Sequence, residues 1–95
     1  MRVLTTEVYR DWINALNDRS ARARIQVRVD RLAHGNPGQH RRLAGGVAEL
    51  KIDVGPGYRV YYTERGGELI VLLAGGNKAS QQSDIELAKS LAENL

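Results

Sequence analysis

The sequence predicts an α+β domain: an N-terminal strand and an α-helical hairpin packed on a small antiparallel β-sheet, with a C-terminal helix. Three observations carry this. Apolar residues recur at helical spacing in two consecutive stretches before Gly35. The period then switches to two on either side of Gly55-Pro56-Gly57. A helical stripe returns from Ile85. Helical and strand patterns that are segregated along the chain, rather than alternating, belong to α+β architectures.

Each element has its own signals. Arg2 to Leu4 reads as a short strand. Thr6 is placed to cap a helix running to about Leu16, with Glu7 near its positive end. Val8, Trp12 and Leu16, with Ile13 alongside, form its apolar stripe. Asn17 and Asp18 break that helix, and Asp18 can cap the next, whose stripe is Ala21, Ile25, Val29 and Leu32. Gly35 suits the left-handed position past its end, and Pro37 stops it. The short connection predicts an antiparallel helical hairpin.

After Gly45-Gly46, Leu50, Ile52 and Val54 alternate with Glu49, Lys51 and Asp53. Beyond the Gly-Pro-Gly turn, Tyr58, Val60 and Tyr62 alternate with Arg59, Tyr61 and Thr63. Gly66-Gly67 makes a second turn. Leu69 to Ala74 is apolar on both faces and reads as a buried central strand, ended by Gly75-Gly76-Asn77. Ser80 or Ser83 caps a last helix with Ile85, Ala88, Leu91, Ala92 and Leu95 on one side. The expected order is β-α-α-β-β-β-α: a three-stranded meander with helices against one face, forming one domain over residues 1–95.

Composition narrows the function. With no cysteine among 95 residues, disulfides and cysteine-based zinc sites are excluded, which fits a reducing compartment, the cytoplasm being the simplest. The N-terminus has no long apolar stretch of the secretory kind, and the longest apolar run, Leu69 to Ala74, is too short to span a bilayer. Net charge is +3, but it is unevenly spread. Arg19, Arg22, Arg24, Arg28, Arg31, Arg41 and Arg42 face a single acid, Asp30, whereas acids outnumber bases from Gly66 onward. Such asymmetry points to a polyanionic or acidic partner for the first half, or else to a solvated helix face rich in good helix formers.

The strand pattern locates a candidate site. In ordinary hairpin register Lys51 lies opposite Tyr61 and Asp53 opposite Arg59. Lys51, Arg59 and Tyr61 then share the face away from the Leu50/Ile52/Val60/Tyr62 core. A lysine, an arginine and a tyrosine there can hold an anion, and Tyr61 can stack on a base. The alternative is a solvated face on which Glu49 and Asp53 neutralise the bases. Lys78, beside a glycine-rich turn and a helix start, is a candidate phosphate contact, although Gly-Gly-Asn-Lys-Ala-Ser lacks nucleotide-loop spacing. His34 and His40 lack metal-ligand spacing, so neither a metal nor a cofactor is expected. His40, beside Arg41 and Arg42, is a candidate RNA contact.

Several stretches together carry a family resemblance: Trp12-Ile-Asn-Ala-Leu-Asn-Asp18, Gly35-Asn-Pro-Gly38, Gly46-Val-Ala-Glu-Leu-Lys-Ile52, Gly55-Pro-Gly-Tyr-Arg-Val-Tyr-Tyr62, Leu72-Leu-Ala-Gly-Gly-Asn-Lys78, Gln81, Asp84-Ile85 and Ala88. In this order and spacing the chain resembles the phage-derived, HigB-like addiction module killer branch of the RelE/ParE toxin superfamily. The resemblance implies the RelE-like fold, and a ribosome-dependent endoribonuclease that cuts messenger RNA in the ribosomal A site without a metal. The RNA 2′-hydroxyl attacks the adjacent phosphate, leaving a cyclic or 3′-phosphate and a 5′-hydroxyl. It implies Lys51, Arg59 and Lys78 as catalytic residues; beside them, Tyr61, Arg41, Arg42, His40 and Gln81 are the expected RNA contacts. It also implies a cognate antitoxin, a helix-turn-helix DNA-binding repressor, with Arg22, Arg24, Arg28 and Arg31 meeting the antitoxin or the ribosome. The expected partners are thus antitoxin, ribosome and messenger RNA, with DNA reached only through the antitoxin and no membrane. Where RelE carries a tyrosine or histidine at the start of the last helix, this chain has Gln81, Gln82 and Asp84, which leaves the general acid and base unassigned. Two other readings stay open: a ParE-like inhibitor of DNA gyrase, and an inactive homologue acting only by binding its antitoxin.

Overall fold

A computed structural model describes residues 1–95. The elements are β1 (Arg2–Thr5), α1 (Glu7–Ala15), α2 (Arg19–Ala33), β2 (His40–Arg42), β3 (Val47–Ile52), β4 (Tyr58–Arg65), β5 (Leu69–Asn77) and α3 (Gln81–Glu93), with short 3-10 turns at Ala44–Gly46 and Lys78–Ser80. The α+β class holds. The sheet has five strands in the order β1-β5-β4-β3-β2. All its pairs are antiparallel except β1 with β5, which is parallel.

The sheet is larger than expected and is covered on both faces. On one face α1 and α2 close a core of Tyr9, Ile25, Val29 and Leu32 against Leu50, Ile52, Tyr58, Val60, Tyr62, Ile70 and Leu72. On the other, α3 packs Ile85, Ala88 and Ala92 on Val47, Tyr61, Val71, Leu73 and Ala74. The expectation of helices against one face is therefore corrected. Thr63 and Leu73 already carry the second face as buried positions, and the α3 stripe needs a surface to cover. Leu95, expected on that stripe, lies beyond the helix and is 58% exposed.

The caps at Thr6 and Asp18 form as read. Thr6 Oγ1 accepts from the Tyr9 amide at 3.0 Å, and Asp18 Oδ1 from the Ala21 amide at 3.0 Å. Before α3, Asn77 does the capping, accepting from the Ala79 amide at 2.9 Å. The side chain of Ser80 caps nothing on α3 and donates instead to Asp84 Oδ2 at 2.5 Å.

The β3–β4 register differs from the expected one by two residues: Lys51 pairs with Arg59 and Glu49 with Tyr61. The reason is the turn. The Gly57 amide donates to the Val54 carbonyl at 3.0 Å, with Gly55 and Gly57 both at positive φ, so the hairpin closes between Ile52 and Tyr58. A slip of two preserves the side-chain faces, so the grouping of Lys51, Arg59 and Tyr61 survives.

Gly75 and Gly76 do not end β5; they lie inside it and let helices approach. A side chain on Gly75 would run into the Trp12 ring, and one on Gly76 into the Asp84 carboxylate. No helix is long and apolar enough to cross a membrane.

Candidate functional site

On the α3 face, strand pairing sets two rows of side chains across the sheet. In one row Arg41 of β2 lies opposite Glu49 of β3, and Glu49 opposite Tyr61 of β4. In the next, Lys51 lies opposite Arg59, and Arg59 opposite Gly76, above which the Asp84 carboxylate sits. The N-terminal turn of α3 closes over both rows with Gln81 and Asp84.

Glu49 is the hub of the first row and is 0% exposed. Its Oε2 accepts from Gln81 Nε2 at 3.0 Å. Arg41 Nη2 lies 3.4 Å from both carboxylate oxygens, and Arg59 Nε lies 3.8 Å from Oε1. Arg59 is itself only 5% exposed. Its Nη1 donates to the carbonyls of Gly57 at 3.0 Å and Tyr58 at 3.2 Å. Nη2 makes no hydrogen bond to the protein, and neither does the buried Nε, whose 3.8 Å approach to Glu49 Oε1 is an ion pair and not a hydrogen bond. Gly57 separates this guanidinium from Lys78: a Cβ there would lie 3.3 Å from Arg59 Nη1 and 3.7 Å from the Lys78 Cβ. Arg41, Lys78, Gln81 and Gln82 line an open cavity of about 390 Å³ beside these rows.

Tyr61, expected to offer its ring to a base, is fully buried beneath α3 and has no free face for stacking. Its hydroxyl is buried beside the Glu49 carboxylate, with no hydrogen bond of ordinary geometry. Burial first, then the neighbouring Glu49 and Asp84 charges, raise its pKa well above the usual tyrosine range.

The other sequence candidates divide by location. Lys51, Arg59, Lys78, Arg41 and Gln81 come together as described. His40 and Arg42, flanking Arg41 on a three-residue strand, fall on the opposite face, where they line a cavity of about 470 Å³ with Leu32, Pro37 and Tyr62. His40 Nδ1 is 2.8 Å from the Gly38 carbonyl oxygen. The sheet therefore separates these two from the Lys51/Arg59 cluster.

Of the α2 arginines, Arg22, Arg24 and Arg31 are exposed. Arg28 is turned inward. Its Nη1 donates to the Lys51 carbonyl at 2.6 Å, and its Nη2 to the carbonyls of Pro37 at 3.1 Å and Gln39 at 2.7 Å. That corrects its reading as a partner-facing residue. Desolvation and then the Arg31 charge lower its pKa from the ordinary arginine value, while Asp53 opposes the change. Arg24, Arg31 and Val27, which is 46% exposed, border a cavity of about 540 Å³ on the α2 side of the sheet.

Sequence reading missed Glu49 as a buried anchor. A charge at an alternating strand position reads as solvated unless the second face is known to be covered. The one available signal was the apolar character of both faces of β5, which calls for layers on both sides. Asp53, expected to share the neutralising role, is exposed in the hairpin turn. No group of three or more His, Cys, Asp or Glu side chains is arranged to hold a metal ion.

The fold and site define a small α+β protein in which a mixed sheet, sandwiched between helices, carries a cationic cluster anchored on a buried carboxylate. Residues 11–93 match the family described as phage derived protein Gp49-like (DUF891), and the chain belongs to that family. It is also similar along its whole length to a protein of Haemophilus influenzae described as uncharacterized, with 41% identity over 95 residues, covering 100% of this chain and 96% of the relative.

Proposed function

We propose that the protein is the toxin of a type II toxin–antitoxin pair, acting in the cytoplasm as a ribosome-dependent, metal-independent messenger RNA endoribonuclease. The observation that carries this reading is the convergence of Lys51, Arg59 and Lys78 at one end of the sheet, with Lys78 lining an open cavity together with Arg41 and Gln81. Membership of a phage-derived family is compatible with it.

In the proposed reaction the RNA 2′-hydroxyl gives up its proton to water and its oxygen attacks the adjacent phosphorus; the bond from phosphorus to the 5′-oxygen breaks, and that oxygen takes a proton from water to leave as the 5′-hydroxyl. Arg59 Nη2 stabilises the charge that builds on the non-bridging oxygens. Lys51, paired across from Arg59, adds a second positive charge on the same side of the sheet. Lys78 meets the phosphate or the leaving 5′-oxygen, and Arg41 and Gln81 line the approach. The exposed Arg22, Arg24 and Arg31 on the far side of the sheet face the antitoxin, a helix-turn-helix repressor, or the ribosome.

The test is cleavage of messenger RNA on programmed ribosomes. Lys51→Ala, at a half-buried position, should fold normally and lose about a hundredfold or more in rate, the scale of removing one charge-stabilising donor. Arg59→Lys should recover little of the activity, because lysine cannot present a planar pair of donors to phosphate. Wild-type protein that inhibits gyrase supercoiling but leaves RNA intact would overturn the reading. So would a folded Lys51→Ala, Arg59→Lys double variant that cuts at the wild-type rate.

A further inference from the structure

We infer that Glu49 is a positioning residue: buried beneath the cationic cluster, its carboxylate holds the Arg59 guanidinium in place by charge from the Nε side. The geometric part stands on the structure; its consequence for turnover rests on the nuclease reading.

A carboxylate at this place needs a reason. A site that binds an anion gains nothing from a negative charge beneath it, and taking an ionised group out of water is expensive unless its partners are well placed. Yet Glu49 is 0% exposed and sits where three elements meet. It engages Gln81 from α3 at 3.0 Å, Arg41 from β2 at 3.4 Å and Arg59 from β4 at 3.8 Å. Gln81 and Arg41 hold the carboxylate, the carboxylate draws on Arg59 Nε, and the Gly57 and Tyr58 carbonyls accept from Nη1. A guanidinium hydrogen-bonded at Nη1 and drawn at Nε toward a buried carboxylate has its plane set before any ligand arrives. Such preorganisation makes a donor effective against charge that develops during reaction. With no exposed surface, Glu49 cannot touch the substrate, so it acts through Arg59.

Two substitutions and two measurements test this. Glu49→Gln keeps the shape and an acceptor for Gln81 but removes the charge. Glu49→Asp keeps the charge but withdraws it by one methylene, and it carries the test if the glutamine variant fails to fold. In either variant the Arg59 Nε–H, kept from solvent by burial beside Glu49 and not by a hydrogen bond, should lose its protection from exchange as the guanidinium loosens, followed by NMR in the free protein. On programmed ribosomes kcat should fall about tenfold to a hundredfold. RNA affinity should stay level or rise in Glu49→Gln, since a repelling charge has been removed; a merely structural role would weaken both together. The inference is overturned if Arg59 Nε–H keeps its protection in the folded variants, or if kcat is unchanged while only KM moves. Wild-type protein that cuts no RNA overturns the nuclease reading alone, since the NMR result still decides whether Glu49 holds Arg59.

Discussion

Arg28 and Arg24 are both arginines on one helix, four residues apart, yet they do different work. Arg24 is exposed, whereas Arg28 spends its guanidinium on three main-chain carbonyls, tying α2 to the Gly35–Gln39 loop and to the end of β3. Replacing Arg28 by Met should therefore strand partly buried acceptors and cost about 1–3 kcal/mol. For a domain of this size, 1 kcal/mol moves the melting temperature by roughly 4–8 °C. Arg24→Ala should melt within a degree or two of wild type. Thermal melts of the two variants side by side check this, and equal melting would mean that the carbonyl clamp contributes nothing. Residue-scale reading of the sequence succeeded where face alone mattered: strand alternation put Lys51 and Arg59 on one side. It failed where burial mattered. Nothing local distinguishes Arg28 from Arg24, or the buried Glu49 from the exposed Glu64, because burial is set by distant parts of the chain.

At the scale of elements, the caps of α1 and α2 and the alternation of β3 and β4 were legible because each is written within a few residues. The strand β2 was not, since His-Arg-Arg has no apolar alternation and forms only because β3 offers a free edge. Gly75 and Gly76 were misread for a related reason. Glycine punctuates a strand by default, but here it makes room for Trp12 of α1 and Asp84 of α3 on opposite sides of β5. Gly75→Ala should accordingly drive a methyl group into the indole ring and cost about 1–3 kcal/mol, the usual range for overpacking. The cost should shrink when Trp12 is first changed to Leu. A double-mutant cycle measured by urea denaturation reads that coupling directly. Additive effects of the two substitutions would show that α1 does not seat on β5 through this pair.

At the scale of the whole molecule, the sheet divides the protein into two cores, and each holds a tyrosine that titrates late. Tyr9 and Tyr62 belong to the core under α1 and α2, and Tyr61 to the core under α3. Burial pushes Tyr9 up to about 12. Burial is also the leading cause of the raised values at Tyr61 and Tyr62, where Glu49 and Glu64 respectively add to it. In the unfolded chain these phenols ionise near pH 10. Above that pH the unfolded state has lost protons that the folded state still keeps, so unfolding becomes easier as pH rises. Below about pH 9 the three phenols contribute no slope. For Tyr9 the loss runs from about pH 10 to about 12, at up to about 1.4 kcal/mol per pH unit, and the other two add slopes of the same sign. Urea midpoints measured across this range should fall as pH rises, and Tyr9→Phe should make the fall less steep than in wild type. Because the tyrosines sit on opposite sides of one sheet, the result also tests whether the two cores melt together. A single cooperative unit loses near- and far-ultraviolet circular dichroism in one coincident transition at every pH. If Tyr61→Phe and Tyr9→Phe instead each shifted a separate transition, the two faces of the sheet would be independent units.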